Sequence, residues 1–313
     1  MTDPPFSRVL VGYVPTEQGA DARALGVELA SACDAELLLT SIVSAVWLEH
    51  IGLQTGPAVV RSGDRDRAAL ALEEATAGLV GRPGLPRVQR RLEASSSTAR
   101  GLHDTAGLED ADVIVVGSSH HGPLGRVLLG SVAERLLSGA PCAVAVAPRG
   151  YATRPSDGMG AIAVAFDGSP ESRLALLVAE QLALRLGARL VALMVIEPPT
   201  AIPGQFVPLA GLEPVVFTER EEMLERHEQA ARAALDDAAR ALGDGLSIER
   251  QVLFGDPAEA LLEAADADVD LLVLGSRAYG PVRRALLGSV SHAVVRHASC
   301  PVLVTPRTDH GDT

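Results

Sequence analysis

The sequence predicts an α/β protein of two tandem domains, each a doubly wound parallel sheet with helices on both faces, and three features carry that prediction. Short aliphatic runs alternate along the whole chain with longer Ala- and Leu-rich stretches, as buried parallel strands alternate with helices. The pattern occurs twice. Hydrophobic residues make up 47% of the 313 positions but aromatics only 3%, so the core must be built from Ala, Val and Leu.

The repeat is legible in one constant offset. Gly117 matches Gly275, Gly130 matches Gly288, Ser131 matches Ser289, Cys142 matches Cys300 and Pro148 matches Pro306. Upstream, Val14 stands opposite Asp167 at a shorter offset, so the second copy holds extra residues between these anchors. The Pro-rich stretch EPPTAIPGQFVPLAGLEP is the natural place for them. The domains are read as 1–150 and 156–313, joined by the polar linker RGYATRPSDG.

Each half begins with a buried strand, Val9–Tyr13 or Ile162–Phe166, then a turn and an Ala/Leu-rich helix, Ala20–Ala32 or Glu171–Leu186. A second strand follows at Glu36–Ile42 or Arg189–Ile196. The second-half stretch TEREEMLERHEQAARAALDDAARAL has helical apolar spacing through Met223, Leu224, Ala231, Ala234, Leu235, Ala238 and Leu242, with Asp64–Val80 as its counterpart. A third strand, Val88–Leu92 or Ser247–Leu253, leads to a short helix, Thr98–Leu108 or Pro257–Ala264. The fourth strand, DVIVVGS or DLLVLGS, runs into a loop and helix, and CAVAVAP or CPVLVTP closes each half. Ligands of such sheets bind beyond the carboxyl ends of the strands, where the Gly-Ser loops fall.

Composition narrows the chemistry. The net charge of −13 argues against nucleic-acid or membrane binding through bulk charge. No apolar run approaches the roughly 20 residues that span a bilayer. No secretory signal is evident in MTDPPFSRVL, and three cysteines without framework spacing fit a reducing compartment, so the cytoplasm is expected. All 27 basic residues are Arg. Without Lys, neither a Walker-type phosphate loop nor Schiff-base chemistry is available.

The parallel stretches VVGSSHHGPLGRVLLGSV and VLGSRAYGPVRRALLGSV carry the candidate site. A Gly directly after a buried strand allows positive φ and close approach of a ligand to the backbone. A helix opened by Gly288-Ser289 offers free N–H groups and the positive dipole end to an anion. Ser131 and Ser289 read equally well as N-caps, and Ser131 with Glu134 matches a capping box. Asp167, at a strand's carboxyl end, is placed to accept hydrogen bonds from a ribose, or to cap the following helix.

The stretches AVAFDGSPES, ALMVIE, LFGDPAEALLEAA, LVLGSRAYGPVRRALLGSV and CPVLVTP resemble the universal stress protein family, here in a tandem form. The resemblance spans essentially the whole second half, with weaker echoes in the first. It implies Rossmann-like domains of the adenine-nucleotide alpha-hydrolase type and an ATP-binding pattern G-x2-G-x9-G-[S/T], preceded by an Asp after the first strand. Carried over, Asp167 holds the ribose and adenine side and Val195 lines the adenine pocket, while Gly275, Gly288, Ser289 and Val290 bind phosphates. Arg277, with Arg283 and Arg284, is either a reach toward a triphosphate or solvated surface charge. Ala278 replaces the pattern's second Gly, and its methyl disfavours positive φ.

The first half departs further. Val14 replaces the Asp and His120 the second Gly, while Ile42, Gly117, Gly130 and Ser131 remain as a weaker counterpart site. His120-His121 has no further His or Cys at metal-ligand spacing, so it reads as a polar surface loop, with His120 when protonated as a second source of charge for a phosphate. His292 and His297 are expected at the surface or in a subunit contact, and Cys142 and Cys300 as small core residues.

The resemblance therefore implies a regulatory stress-response protein binding ATP, with or without Mg2+, chiefly in the second half. A nucleotide-free scaffold for a protein partner and a slow ATPase are the alternatives. No residue is designated as a general base, so no catalytic residue is assigned and enzyme activity is not expected beyond slow hydrolysis. CAVAVAP and CPVLVTP are the candidate strands for an internal pseudo-dimer; pairing of whole chains into a homodimer is left open.

Overall fold

The computed structural model describes residues 4–45, 62–119, 127, 129–155, 158–198, 216–242, 245–276 and 288–306. The first half runs β1 (Arg8–Gly12), α1 (Glu17–Cys33), β2 (Glu36–Ser44), α2 (Ser62–Thr76), β3 (Val88–Ser95), α3 (Thr98–Leu108), β4 (Val113–Gly117), α4 (Ser131–Leu137) and β5 (Ala143–Ala147). The second runs β6 (Ala161–Ala165), α5 (Pro170–Leu186), β7 (Arg189–Ile196), α6 (Val216–Ala241), β8 (Ile248–Phe254), α7 (Pro257–Asp268), β9 (Leu271–Gly275), α8 (Ser289–His297) and β10 (Val302–Thr305).

The strands form one ten-stranded sheet in the order β3-β2-β1-β4-β5-β10-β9-β6-β7-β8. Every pairing within a half is parallel, and the halves join through an antiparallel β5–β10 pair in which Leu303 faces Ala145. Alternate strand residues enter opposite cores. Val9, Val11 and Val115 pack with α1, α2, α5 and α6 on one face; Leu10, Ile114 and Val116 pack with α3, α4, α7 and α8 on the other.

Local chemistry sets the helix ends. Thr16 caps α1 by accepting from the Gly19 N–H, which starts the helix three residues earlier than the apolar pattern suggests. Helix α2 stops at Thr76 rather than Val80: the chain turns through Gly81 at φ +79°, and Val80 is left 76% exposed. Two aspartates that the motif reading passes over clamp equivalent strand starts. Asp112 Oδ2 accepts from the N–H groups of Ser7 (2.6 Å) and Arg8 (2.9 Å), and Asp270 Oδ2 from those of Gly160 (2.8 Å) and Ala161 (3.0 Å).

The linker is not merely polar. Tyr151 is buried, and its hydroxyl donates to Glu28 Oε2 at 2.6 Å. Burial and the Glu28 carboxylate push that hydroxyl well above its usual pKa, which keeps it a donor. Buried Asp21 of α1 accepts from the N–H groups of Gly150 (2.9 Å) and Ala152 (2.8 Å). Among the described residues no helix is long and apolar enough to cross a membrane.

At the amino ends of β1, β2 and β3, Glu36 gathers Arg8 (3.0 Å), Arg87 (3.2 Å) and a hydrogen bond from Gln89. Burial works against its ionisation, but the hydrogen bonds from Gln89 and Arg8 and the two guanidinium charges outweigh it and hold the carboxyl below its usual range. A lowered carboxylate pKa contributes stability that is complete above the unfolded-state value and is lost as pH falls through the folded one. Glu36→Gln should therefore lower the urea midpoint at pH 7. The gap from the parent protein should narrow as the pH falls below about 4.3.

Candidate functional site

Within each half the chain leaves the first strand toward one edge of the sheet and returns to the fourth strand on the other side. This topological switch opens a crevice at the carboxyl ends of β1 and β4, and again at β6 and β9. In the second half the crevice is a cavity of about 230 Å³. Ala165, Leu193, Val195 and Leu274 form an apolar floor; Pro257 and Leu261 of α7 form one wall, and Val290 and Ser291 of α8 another. The rim is polar, with Asp167, Ser169, Glu171 and Ser172.

The turn between β6 and α5 sets the rim. Gly168 adopts φ +81°, Ser169 is the N-cap accepting from the Ser172 N–H at 3.1 Å, and Pro170 takes the first helical position. Asp167 is thus not the cap of α5. Its Oδ1 accepts from the Ser169 N–H at 3.0 Å, and the residue stays exposed at the cavity rim. The opposite wall is placed the same way: Asp256 caps α7, accepting from the Ala258 and Glu259 N–H groups, and seats Pro257 against the cavity.

The Gly-Ser loops differ from expectation in two respects. Neither Gly117 nor Gly275 has a positive φ. Each is required because a helix start lies on the strand end. A Cβ on Gly275 would stand 2.7 Å from the Glu171 carbonyl carbon and 3.0 Å from the Ser172 nitrogen, and one on Gly117 would stand 2.2 Å from the Gln18 carbonyl oxygen. Second, the N-caps of α4 and α8 are Gly130 and Gly288, without side-chain caps, so Ser131 and Ser289 are first helical residues rather than caps. No capping box forms at Glu134, whose N–H simply donates to the Gly130 carbonyl at 3.0 Å. Gly already satisfies the N-cap conformation, which moves Ser one position into the helix.

The structure therefore brings Asp167, Val195, Gly275 and Val290 together around one cavity, with Gly288 and exposed Ser289 at the start of the adjoining helix. Arg277, Ala278, Arg283, Arg284, His120 and His121 lie outside the described residues. Sequence reasoning missed Leu193, Leu261 and Ser291. The first two could have been found as apolar residues at a strand's carboxyl end and one turn into the following helix. In the first half, Val14 is exposed, Ile42 packs on Gly101, and the Gln18 amide donates to the Gly117 carbonyl at 2.9 Å.

The other singled-out residues have packing roles. His292 faces Glu134 across the junction of the halves at 3.6 Å, and His297 is exposed beside the Ala293 carbonyl. Cys142 is half-buried and Cys300 buried; burial pushes both thiols up to about 12, so neither is a thiolate at neutral pH. Among the described residues no cluster of His, Cys, Asp and Glu could hold a metal ion.

The steric account of the strand-end glycines makes a direct prediction. Gly117→Ala and Gly275→Ala should each cost about 1–3 kcal/mol of stability without any ligand, because the methyl meets backbone rather than a flexible side chain. Gly130→Ala, whose methyl would meet only the Ser119 Cβ at 3.8 Å, should cost less. Urea unfolding of the three variants checks the order.

The universal stress protein family model matches the chain twice, at residues 5–148 and 159–306. A universal stress protein of Mycobacterium tuberculosis is 30% identical over 301 residues, covering 95% of this chain and 99% of the relative. One from Mycolicibacterium smegmatis is 31% identical over 306 residues, covering 95% and 96%. The crystal structure of a universal stress protein from Archaeoglobus fulgidus shares the fold at 17% identity, with a TM-score of 0.63 and coverage of 96% and 99%. With two full-length matches to one family model and relatives matched along nearly their whole length, the chain belongs to the universal stress protein family, in its tandem form.

Proposed function

We propose that the protein is a nucleotide-binding regulator that holds ATP in the second-half cavity. One observation carries this reading: an apolar slot at the switch point, an exposed carboxylate at its rim and a helix start without a side-chain cap converge on a single place. The apolar floor from Ala165 to Leu274 and the Pro257–Leu261 wall suit a flat base. Asp167 accepts from ribose hydroxyls. The N–H groups at the start of α8, with the Ser289 hydroxyl, take the phosphates without any Lys, and the sequence pattern adds Arg277 and Ala278 to the phosphate-binding residues. Mg2+ would balance the remaining triphosphate charge.

Occupancy then shifts conformation or assembly and so reports energy state or stress to a protein partner, in the cytoplasm; free thiols at Cys33, Cys142 and Cys300 support a reducing compartment. A nucleotide-free scaffold and slow hydrolysis are the alternatives.

Calorimetric titration tests the reading. The parent protein should bind ATP, and Asp167→Ala should weaken binding by about 10–100-fold, the loss expected when hydrogen bonds to a charged acceptor are removed. No binding at millimolar ATP would sink the proposal. Phosphate release faster than about one per minute would favour the enzyme reading, against typical turnover of 1–10³ s⁻¹.

A further inference from the structure

We infer that the apolar side of the first-half crevice is sealed from within by helix α3 resting directly on the sheet over two glycines, so that the chain holds one nucleotide rather than two. The nucleotide part rests on the function proposed above; the sealing does not.

The two halves can be compared position by position. Gly12 ends β1 and pairs with Thr40, as Ala165 ends β6 and pairs with Leu193. Leu102 and Leu261 each lie five residues beyond the N-cap of their helix, Ser97 or Asp256. In the second half Ala165 and Leu261 both line the open cavity. In the first, a Cβ on Gly12 would stand 2.8 Å from Leu102 Cδ1 and 3.3 Å from Val116 Cγ1, so the leucine already fills the space over the strand end.

The helix is let down by a second glycine. Gly101 stands where the second half has Ala260, and a Cβ on it would meet Ile42 at 2.8 Å. Ile42 is the residue at the adenine-lining position, one methylene larger than its counterpart Val195. A small helix residue against a larger strand residue lets the two backbones close up and leaves no slot between them.

At the mouth, the Gln18 side chain bonds the Gly117 carbonyl at 2.9 Å, where the second half has Glu171 and the Ser291 hydroxyl near the Gly275 carbonyl at 3.4 Å. The first half is a packed core at the place where its twin keeps a binding slot.

Matched truncations test the sealing without ligand. Both leucines are buried, but Leu261 borders the open cavity, so Leu261→Ala enlarges an existing opening whereas Leu102→Ala leaves a new void beneath α3. Leu102→Ala should therefore lower the melting temperature several degrees more than Leu261→Ala; equal drops, or the reverse, would overturn the inference. Calorimetry with ATP then counts sites. The parent protein should bind one per chain, and Asp167→Ala should leave no site of comparable affinity. A fourfold variant, Gly12→Ala, Val14→Asp, Ile42→Val and Gly101→Ala, should bind two. Two sites in the parent, a site of parent affinity retained in Asp167→Ala, or a folded fourfold variant that still binds one would each defeat the inference. If the parent binds none, the proposed function fails while the truncation comparison still decides the sealing.

Discussion

The antiparallel contact between β5 and β10 is the constraint on which the rest of the molecule depends. Ala143–Ala147 and Val302–Thr305 are buried along their whole length, so neither strand could serve as a sheet edge in water. Pairing them satisfies both ladders at once and makes a single sheet of the two halves. Because the pair is antiparallel, the strands of the halves point in opposite directions, and the two crevices open at opposite ends of the sheet. The same junction brings α4 and α8 together: the Val127 N–H donates to the Ala298 carbonyl at 2.7 Å, and His292 faces Glu134. The strands left at the two edges, β3 and β8, carry the most charge, with Arg90, Arg91 and Glu93 on one and Glu249 and Arg250 on the other. Apolar strands are spent at the centre and charged ones at the rim, an arrangement that discourages further edge-to-edge growth.

Much of this was legible in the sequence because it rests on periodicity. Five-residue aliphatic runs such as VIVVG and LLVLG have one stable placement, buried on both faces of a parallel sheet, and the recurring Gly-Ser pairs made the duplication plain. Less legible were features that depend on contacts across the fold. Asp112 and Asp270 look like surface acids in DADV and DVDL, and only the folded chain brings them to the N–H groups that open β1 and β6. RGYATRPSDG reads as a linker by composition, yet Tyr151 is core because Asp21 and Glu28 of α1 wait for it.

The site shows the same division. The Asp167, Val195, Gly275 and Val290 grouping came from the family resemblance, and the fold brings the four together because three sit at strand ends and Val290 in the first turn of α8. The assignment of Ser131 and Ser289 as caps failed because an N-cap position tolerates Gly almost as well as Ser, and nothing local decides between adjacent residues. The motif residues Val14 and His120 marked the first half as the weaker copy, but not the packing of its crevice, since those contacts join Gly12 to Leu102 and Gly101 to Ile42.

This bears on what a glycine motif can signify. Gly117 and Gly275 occupy the same motif position, and both are held there by the backbone of the helix that follows the first strand, at Gln18 in one half and Glu171 in the other. That demand comes from the fold and persists whether or not a ligand is present, so the glycine would survive the loss of binding. Val14 and Asp167, or Gly12 and Ala165, answer to no such demand. Gly12 lies against a leucine side chain where Ala165 borders open space, and Val14 stands where Asp167 reaches the rim, so these positions differ between the halves. In a duplicated chain of this kind, the positions at which the copies disagree therefore say more about binding than the glycines on which they agree.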